Sequence, residues 1–360
     1  MSGLERKGVK PMEDDGVKKP DIQADLNTFV MRNMTSATKK LLDEHKNIPI
    51  NKQWKDSYPL LLAVSNNSEK MVRLLLENGA KPNGIKLKDK KLPTAKALKN
   101  GSKDILNILL EAGADPNTKM PFIDDMAHTL LSYAAARGLF KCAEVILKYK
   151  PNINTILDNK TTAIIQAARY NDIRMLKLLV DNGADVINSN AYIISVERGA
   201  YRCAKMLATH GANISGVNKN GDSPMIILAK AVNEKTSEYK LSCIKFHLTL
   251  LFSLGEDLRY INLEGVDLLC AAVESGNMDI INHCLHLGVP TEQKGLKVPA
   301  IKIAENNRNK PAIERLCECG ANTDMIDTSK LLTEKNNQIQ VENLKNLVDN
   351  LSTRGIIGYL

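Results

Sequence analysis

Aromatic residues are scarce in this chain. Phe, Trp and Tyr together make up 4% of its 360 residues, and Trp54 is the single tryptophan. A core without large rings must be filled by Leu, Ile, Val and Ala. That filling suits closely packed helices better than a β-sandwich or barrel, where aromatic and β-branched residues are enriched. The composition therefore favours an all-α fold.

Long apolar runs are missing as well. No stretch approaches the roughly 20 apolar residues that a helix needs to cross a bilayer, and residues 1–25 lack the apolar centre of a secretory signal. The seven cysteines are an odd number and are scattered singly, apart from Cys317 and Cys319. These features predict reduced thiols and a location in the cytoplasm, with the nucleus as the alternative. We expect no association with a membrane.

Motifs for catalysis and metal binding are also lacking. No G-x-S-x-G, Walker A or H-E-x-x-H string occurs. His283 and His286 lie on either side of Cys284, but zinc needs four well-placed ligands and no second pair stands at a suitable spacing. Cys317 and Cys319 are two residues apart, so a helix turns them to different faces. The sequence predicts no catalytic, cofactor-binding or metal-binding residue, no small-molecule substrate and no enzyme activity.

One phrase recurs along the chain: an apolar helical run, then Gly-Ala, then a small polar turn that ends in a polar residue, usually Asn. Copies are LLLENGAKPN at 74–83, ILLEAGADPN at 108–117, KLLVDNGADVIN at 177–188 and MLATHGANIS at 206–215. A turn and a short alanine-bearing helix precede most copies. Ala63, Ala97, Ala134 and Ala167 follow one another at intervals of 34, 37 and 33 residues. Each repeat therefore consists of a turn, a short helix, a tight link, a second helix and a glycine-terminated turn.

This pattern resembles the ankyrin repeat family, whose repeats open on Thr-Pro-Leu-His-x-Ala and close on Gly-Ala-Asp-x-Asn. The closest matches are NKNGDSP at 218–224, YPLLLA at 58–63 and GADPN at 113–117. The resemblance covers roughly three quarters of the chain. It implies an all-α ankyrin-repeat solenoid of about eight helix–turn–helix units with projecting hairpin fingers, flanked by terminal caps.

The same resemblance suggests domain boundaries. We expect a disordered tail at 1–20, capping helices at 21–50, ankyrin repeats at 51–326, and a C-terminal capping helix and tail at 327–360. The repeats are expected at approximately 55–84, 88–118, 125–155, 158–188, 189–216, 219–260, 263–292 and 295–325. Repeat five is too short to project a finger. Repeat six holds about eleven extra residues near 232–242, which predict a protruding loop or an extended helix end.

The positive charge is local. The net charge is +8, and residues 81–104 alone hold eight lysines against two aspartates. A nucleic-acid binder would spread its charge along a groove and interleave aromatics, so nucleic acid is not the expected partner.

The run KLKDKK at 86–91 lies on the expected finger of repeat two, either as a solvated loop or as a contact for an acidic protein surface. Trp54 lies on the preceding finger, either as an exposed binding anchor or packed over the N-terminal cap. The candidate partner-binding residues are Trp54, Lys86, Lys88, Lys90 and Lys91.

The family resemblance implies a protein-binding scaffold or adaptor that presents a concave surface to a partner protein. Two alternatives stay open: a regulatory or inhibitory subunit that masks a partner, and a substrate-targeting subunit of a ligase or kinase complex. The basic fingers argue against masking a basic surface. Asn83 and Asn117 end their turns, where family members can be hydroxylated; hydrogen bonding between adjacent turns is the favoured role for them.

Overall fold

The computed structural model describes residues 21–85, 92–123, 126–157 and 160–326. These residues form eighteen α-helices, two short strands and one 3₁₀ turn, and more than half of them are helical. The all-α fold class predicted from the sequence is confirmed. The chain divides into two compact parts, residues 1–126 and 127–360. Within the described residues, no helix is both long and apolar enough to cross a membrane.

The first part holds three consecutive helix pairs. In chain order the elements are α1 (Ile22–Met31), α2 (Thr35–Glu44), α3 (Pro59–Ser65), α4 (Glu69–Glu77), α5 (Pro93–Lys99), α6 (Lys103–Glu111) and the strand β1 (Lys119–Ile123). The strand β2 (Met126–Thr129) follows, and β1 and β2 form a two-stranded sheet. In this part α1, α3 and α5 pack side by side in one layer, and α2, α4 and α6 pack in a second.

The second part holds six helix pairs. They are α7 (Leu130–Ala136), α8 (Phe140–Lys148), α9 (Ala163–Arg169), α10 (Ile173–Asp181), α11 (Ala191–Glu197), α12 (Tyr201–Thr209), α13 (Pro224–Lys230), α14 (Glu238–Ser253), α15 (Leu268–Glu274), α16 (Met278–His286), α17 (Ala300–Asn306) and α18 (Lys310–Glu318), followed by the 3₁₀ turn Thr323–Met325. Odd-numbered helices pack on odd-numbered ones and even on even. We number the repeats one to eight, from α3/α4 to α17/α18.

The second helix of each repeat buries one face. In every repeat except six, its third, fourth and seventh residues are buried, whereas its second and fifth residues lie on the opposite side, as the 3.6-residue period requires. In α4 the buried residues are Met71, Val72 and Leu75, all fully buried. Cys142 and Cys203 fill the third position in repeats three and five and are buried.

The first helix of each repeat is short, and in every repeat except six its fifth residue is small. Ala63, Ala97, Ala134 and Ala167 occupy this position in repeats one to four and are fully buried. A methyl group at this position lets neighbouring first helices approach closely. Proline stands at the first position of α3, α5 and α13, where its missing N–H costs no hydrogen bond.

Asparagine side chains tie each turn to the next repeat. Asn51 donates to the Gly79 carbonyl at 2.9 Å, and its Oδ1 accepts the Lys81 N–H at 2.8 Å. The same pair of bonds joins Asn83 to Gly113 and Asp115, at 3.4 and 2.8 Å, and Asn154 to Gly183 and Asp185, at 3.2 and 2.8 Å. The role preferred for Asn83 is therefore confirmed. Asn51 follows α1 and α2, so this N-terminal pair, expected to be a cap, bonds to its neighbour as a repeat does.

Two repeats depart from the common length. Only residues 182–190 separate α10 from α11, whereas residues 210–223 separate α12 from α13, so repeat five lacks a finger as predicted. In repeat six α14 has 16 residues, whereas the second helices of the other repeats have nine. Much of the insertion is therefore an extended helix start, one of the two forms predicted. The expected tail at 1–20 and the expected cap at 327–360 lie outside the described residues.

Candidate partner-binding surface

The finger of repeat one ends in a tight hydrogen-bonded turn. The N–H of Trp54 donates to the Ser57 carbonyl at 2.9 Å, and the N–H of Ser57 donates back at 3.0 Å. Lys55 takes a left-handed φ of 53° at the bend. Its Nζ lies 4.5 Å from the centre of the Trp54 ring, close enough for a cation–π interaction. Trp54 is half-buried, so neither an exposed anchor nor a fully packed ring describes it completely.

Exposed lysines surround this turn. Lys52, Lys55 and Lys81 all reach solvent. Lys86, Lys88, Lys90 and Lys91 lie outside the described residues, so their approach to Trp54 stays a prediction. Within the described residues, the patch consists of one half-buried aromatic ring and the three exposed lysines near it.

The Tyr58 side chain packs against the base of the second finger, at Gly84 and Ile85. This side chain is buried, and burial raises the pKa of its hydroxyl, while a hydrogen bond with the Ile85 backbone acts in the opposite direction. Gly84 lies against that hydroxyl at a φ of +74°, and a Cβ there would overlap it. Gly84 and Ile85 are therefore fixed against the Tyr58 hydroxyl.

The fingers of repeats six and seven form a polar network that the sequence analysis missed. Asn218 Oδ1 accepts the N–H groups of Asn220 and Asp222, both at 2.9 Å. Asp222, almost fully buried, accepts the Lys230 ammonium at 2.8 Å and the Asn262 amide at 2.5 Å. The signal was present, because VNKNGDS at 217–223 and INLEGVD at 261–267 place Asn and Gly at the same spacing.

Adjacent fingers in this region also bond through the backbone. The Tyr260 hydroxyl donates to the Gly221 carbonyl at 2.7 Å, and the Lys297 N–H donates to the Gly265 carbonyl at 2.9 Å. Leu263 projects from the seventh finger and is 84% exposed. These fingers therefore offer a rigid edge with an exposed aliphatic side chain.

The histidine and cysteine pairs singled out from the sequence are not brought together as metal ligands. His283 is half-buried and bonds to the Lys245 carbonyl at 3.0 Å, whereas His286 is exposed. Cys284 between them is buried, and burial raises the pKa of its thiol to about 12. Cys317 is buried and Cys319 is exposed, as predicted for different helix faces. Across the described ranges, no group of three or more His, Cys, Asp or Glu side chains could hold a metal ion.

Comparison with known families agrees with this architecture. The family model described as ankyrin repeats (3 copies) matches residues 26–120 and 121–190. The match begins inside α1, in agreement with the repeat-like bonding of the N-terminal pair. This chain is an ankyrin repeat protein. Its eighteen described helices and small sheet are those of an all-α ankyrin-repeat solenoid.

Individual ankyrin relatives are distant. The human "Ankyrin repeat and KH domain-containing protein 1" is 27% identical over 109 residues, which are 28% of this chain and 4% of that protein. The chain thus matches only a small fraction of that relative's length. The crystal structure of the human ASB11 ankyrin repeat domain superposes with a TM-score of 0.48 at 22% identity, and covers 61% of this chain and 96% of that one.

The family also indicates a general role. Ankyrin repeats are generally protein–protein interaction modules, and ankyrin repeat proteins are typically non-enzymatic.

Proposed function

We propose that this ankyrin repeat protein is a non-catalytic adaptor that binds a partner protein with an acidic surface at the finger of repeat one and the lysine run that follows. The half-buried Trp54 ring on a hydrogen-bonded turn carries the proposal. A ring fixed by this turn supplies apolar contact area and loses little conformational entropy when a partner binds. Tryptophan is also enriched among binding hot spots. Lys86, Lys88, Lys90 and Lys91 complete the proposed contact from the next finger.

The roles of ring and lysines differ. The ring would be covered in the complex and would slow its dissociation, whereas exposed lysines would attract an acidic partner and speed its approach. We place the protein in the cytoplasm or nucleus, in line with its seven free cysteines, all of them within the described residues.

Kinetic measurements on two variants test the proposal. A partner is captured from a native lysate on the full chain, identified by mass spectrometry, produced in pure form and studied by surface plasmon resonance. Trp54→Ala should speed dissociation and weaken binding by about 2 kcal/mol, roughly thirtyfold in Kd. Reversing the four lysines to Glu should lower the association rate and flatten its dependence on salt.

The matched control is Tyr170→Ala, which removes an exposed aromatic side chain from another repeat. It should leave both rate constants unchanged. Equal kinetics for wild type, Trp54→Ala and the lysine variant would rule out the finger surface. Iodide quenching of the single tryptophan should be partial in the free protein and fall when the partner is bound. Full quenching that persists in the complex would also contradict the proposal.

A further inference from the structure

The second helices of repeats four and five carry a cluster of positive charge. Arg174 and Lys177 occupy the second and fifth positions of α10, and Arg202 and Lys205 occupy the same positions of α12. All four side chains are exposed. Residues three apart on a helix share a side, and α10 packs directly against α12. The four residues therefore form one surface, which we call the basic face.

The basic face extends over two adjacent helices, which no other pair of described second helices matches. In α4 the same two positions hold Lys70 and Arg73, but its neighbour α6 holds Asp104 and Asn107 there. The two positions hold Asp279 and Asn282 in α16, and Pro311 and Glu314 in α18. In α8 the lysine at the second position, Lys141, is paired with Glu144 at 3.1 Å. Among the described residues, none of the four side chains of the basic face forms an ion pair. Their charge is therefore turned to solvent and is not neutralised by a neighbour.

Two phenylalanines flank the basic face and hold its cations in place. The Arg174 guanidinium carbon lies 4.8 Å from the centre of the Phe140 ring, and the Lys205 Nζ lies 4.6 Å from the centre of the Phe246 ring. Contacts of this kind are attractive because the ring face is negative. They also restrict two long side chains before any ligand binds, which lowers the entropy lost on binding.

The acidic residue nearest in sequence to Arg174 forms no ion pair with it. Asp172 is the N-cap of α10, and its Oδ1 accepts the N–H groups of Arg174 and Met175 at 3.1 and 2.9 Å. The guanidinium of Arg174 lies over the Phe140 ring instead.

We infer that the basic face binds an acidic, extended segment of a partner protein. Charge complementarity selects an acidic ligand. Packed helices lie about 8–10 Å apart, and three residues of an extended chain span about 10 Å, so a short acidic segment is long enough to contact both helices. Single-stranded nucleic acid needs open aromatic faces on which bases can stack, and here cations already cover one face of each flanking ring. This surface does not involve the Trp54 finger, and the inference does not depend on it.

Fluorescence anisotropy with the full chain tests the inference. The probe is a fluorescein-labelled peptide of about twelve residues in which Glu alternates with Ser, at low ionic strength. The double variant Arg174→Glu/Lys205→Glu should bind it roughly tenfold more weakly than the wild type. The control Lys70→Glu/Arg73→Glu makes the same charge change at the same two positions of α4, where both side chains are also exposed. It should bind within about twofold of the wild type.

A second pair of variants keeps every charge. Phe246→Ala should weaken binding roughly threefold, because Lys205 loses the ring that positions it. Phe252→Ala removes an equally exposed ring from the same helix and should have no effect. All six substituted positions are exposed, so circular dichroism should report folded proteins. Equal losses for the α4 control and the α10/α12 variant would overturn the inference. Tighter binding of a twelve-nucleotide oligothymidylate, or of phosphatidylserine vesicles, with the same dependence on Arg174 and Lys205 would also overturn it.

Discussion

Repeats one and two differ from repeat six at two buried positions of the same motif. The residue eight positions before the closing glycine is Met71 in repeat one and Ile105 in repeat two, but His247 in repeat six. The residue after the closing glycine is alanine in repeats one and two, but Glu256 in repeat six. His247 is 3% exposed and Glu256 is 9% exposed. Titratable side chains therefore occupy core positions that are apolar in the first part of the chain.

His247 and Glu256 each form a hydrogen bond with a nearby residue. The Nδ1–H of His247 donates to the Cys243 carbonyl at 2.8 Å, and burial lowers the pKa of the ring, so the neutral form is favoured. Glu256 accepts the Ser215 hydroxyl at 3.2 Å, while burial raises the pKa of its carboxyl. A repeat can thus hold polar groups in its core when local hydrogen bonds are at hand, but at a cost in stability that an apolar residue would avoid.

The largest effect is expected in the regular core. Leu109 is the seventh residue of α6 and is fully buried. Leu109→Ala should lower the free energy of unfolding by about 2–5 kcal/mol, because it removes apolar contacts and leaves a cavity. Urea denaturation followed by circular dichroism measures the change. Glu111→Ala, at an exposed position of the same helix, is the control and should be nearly neutral. A loss below about 1 kcal/mol for Leu109→Ala would mean that the buried seventh residues of the second helices contribute little to the stability of the regular repeats.

A smaller effect of opposite sign is expected at His247. His247→Met installs the residue that repeats one and four carry at this position, and should stabilise the protein by about 1 kcal/mol at pH 7. Since the folded-state pKa lies below the unfolded value of about 6.5, the unfolded chain binds the proton more readily. The wild type should therefore lose stability as the pH falls below about 6.5. The variant should lose less between pH 7 and 5.5, whereas the exposed control His286→Met should follow the wild type. Parallel pH profiles for all three would contradict the burial of a neutral His247.

The smallest effect is expected at Glu256, where the pH dependence is reversed. Its folded-state pKa is raised, so the stability it contributes is lost as the pH rises from about 4.5 through the folded value. Glu256→Gln removes the charge and keeps the shape, and should raise stability at neutral pH by up to about 1 kcal/mol, with little change at pH 4. Thermal unfolding at the two pH values measures this. Glu197→Gln, which removes an exposed carboxylate from repeat five, should change neither value, and a gain at pH 4 equal to that at pH 7 would exclude a charge effect.

Much of the fold could be predicted from the sequence because ankyrin repeats are stabilised by neighbours a fixed distance along the chain. The spacing of Ala63, Ala97, Ala134 and Ala167 was enough to place four buried positions on four helices. The missing finger of repeat five followed from the shortness of its link. The repeat-like nature of the N-terminal pair could not be recognised, because α1 lacks the opening motif and only the bonds of Asn51 reveal the relation.

The candidate surfaces were harder to predict. Trp54 was weighed as either exposed or packed, and its half-buried state depends on a turn whose closing bonds involve backbone atoms. The basic face was not predicted from the sequence, because Arg174 and Lys205 are 31 residues apart. They become neighbours only through the way in which α10 and α12 align when they pack against each other. The polar network around Asp222 likewise depends on the contact between two successive fingers.

The period, the helix ends and the buried face of each helix follow from local sequence, since these depend on glycine, proline and apolar residues at short spacing. The contacts between neighbouring repeats do not follow from it: they set which cation lies on which ring, and how His247 and Glu256 are accommodated in a core. Those outcomes depend on distances between residues about 30 positions apart. Such distances are set by how the repeats pack, and composition and periodicity do not specify that packing.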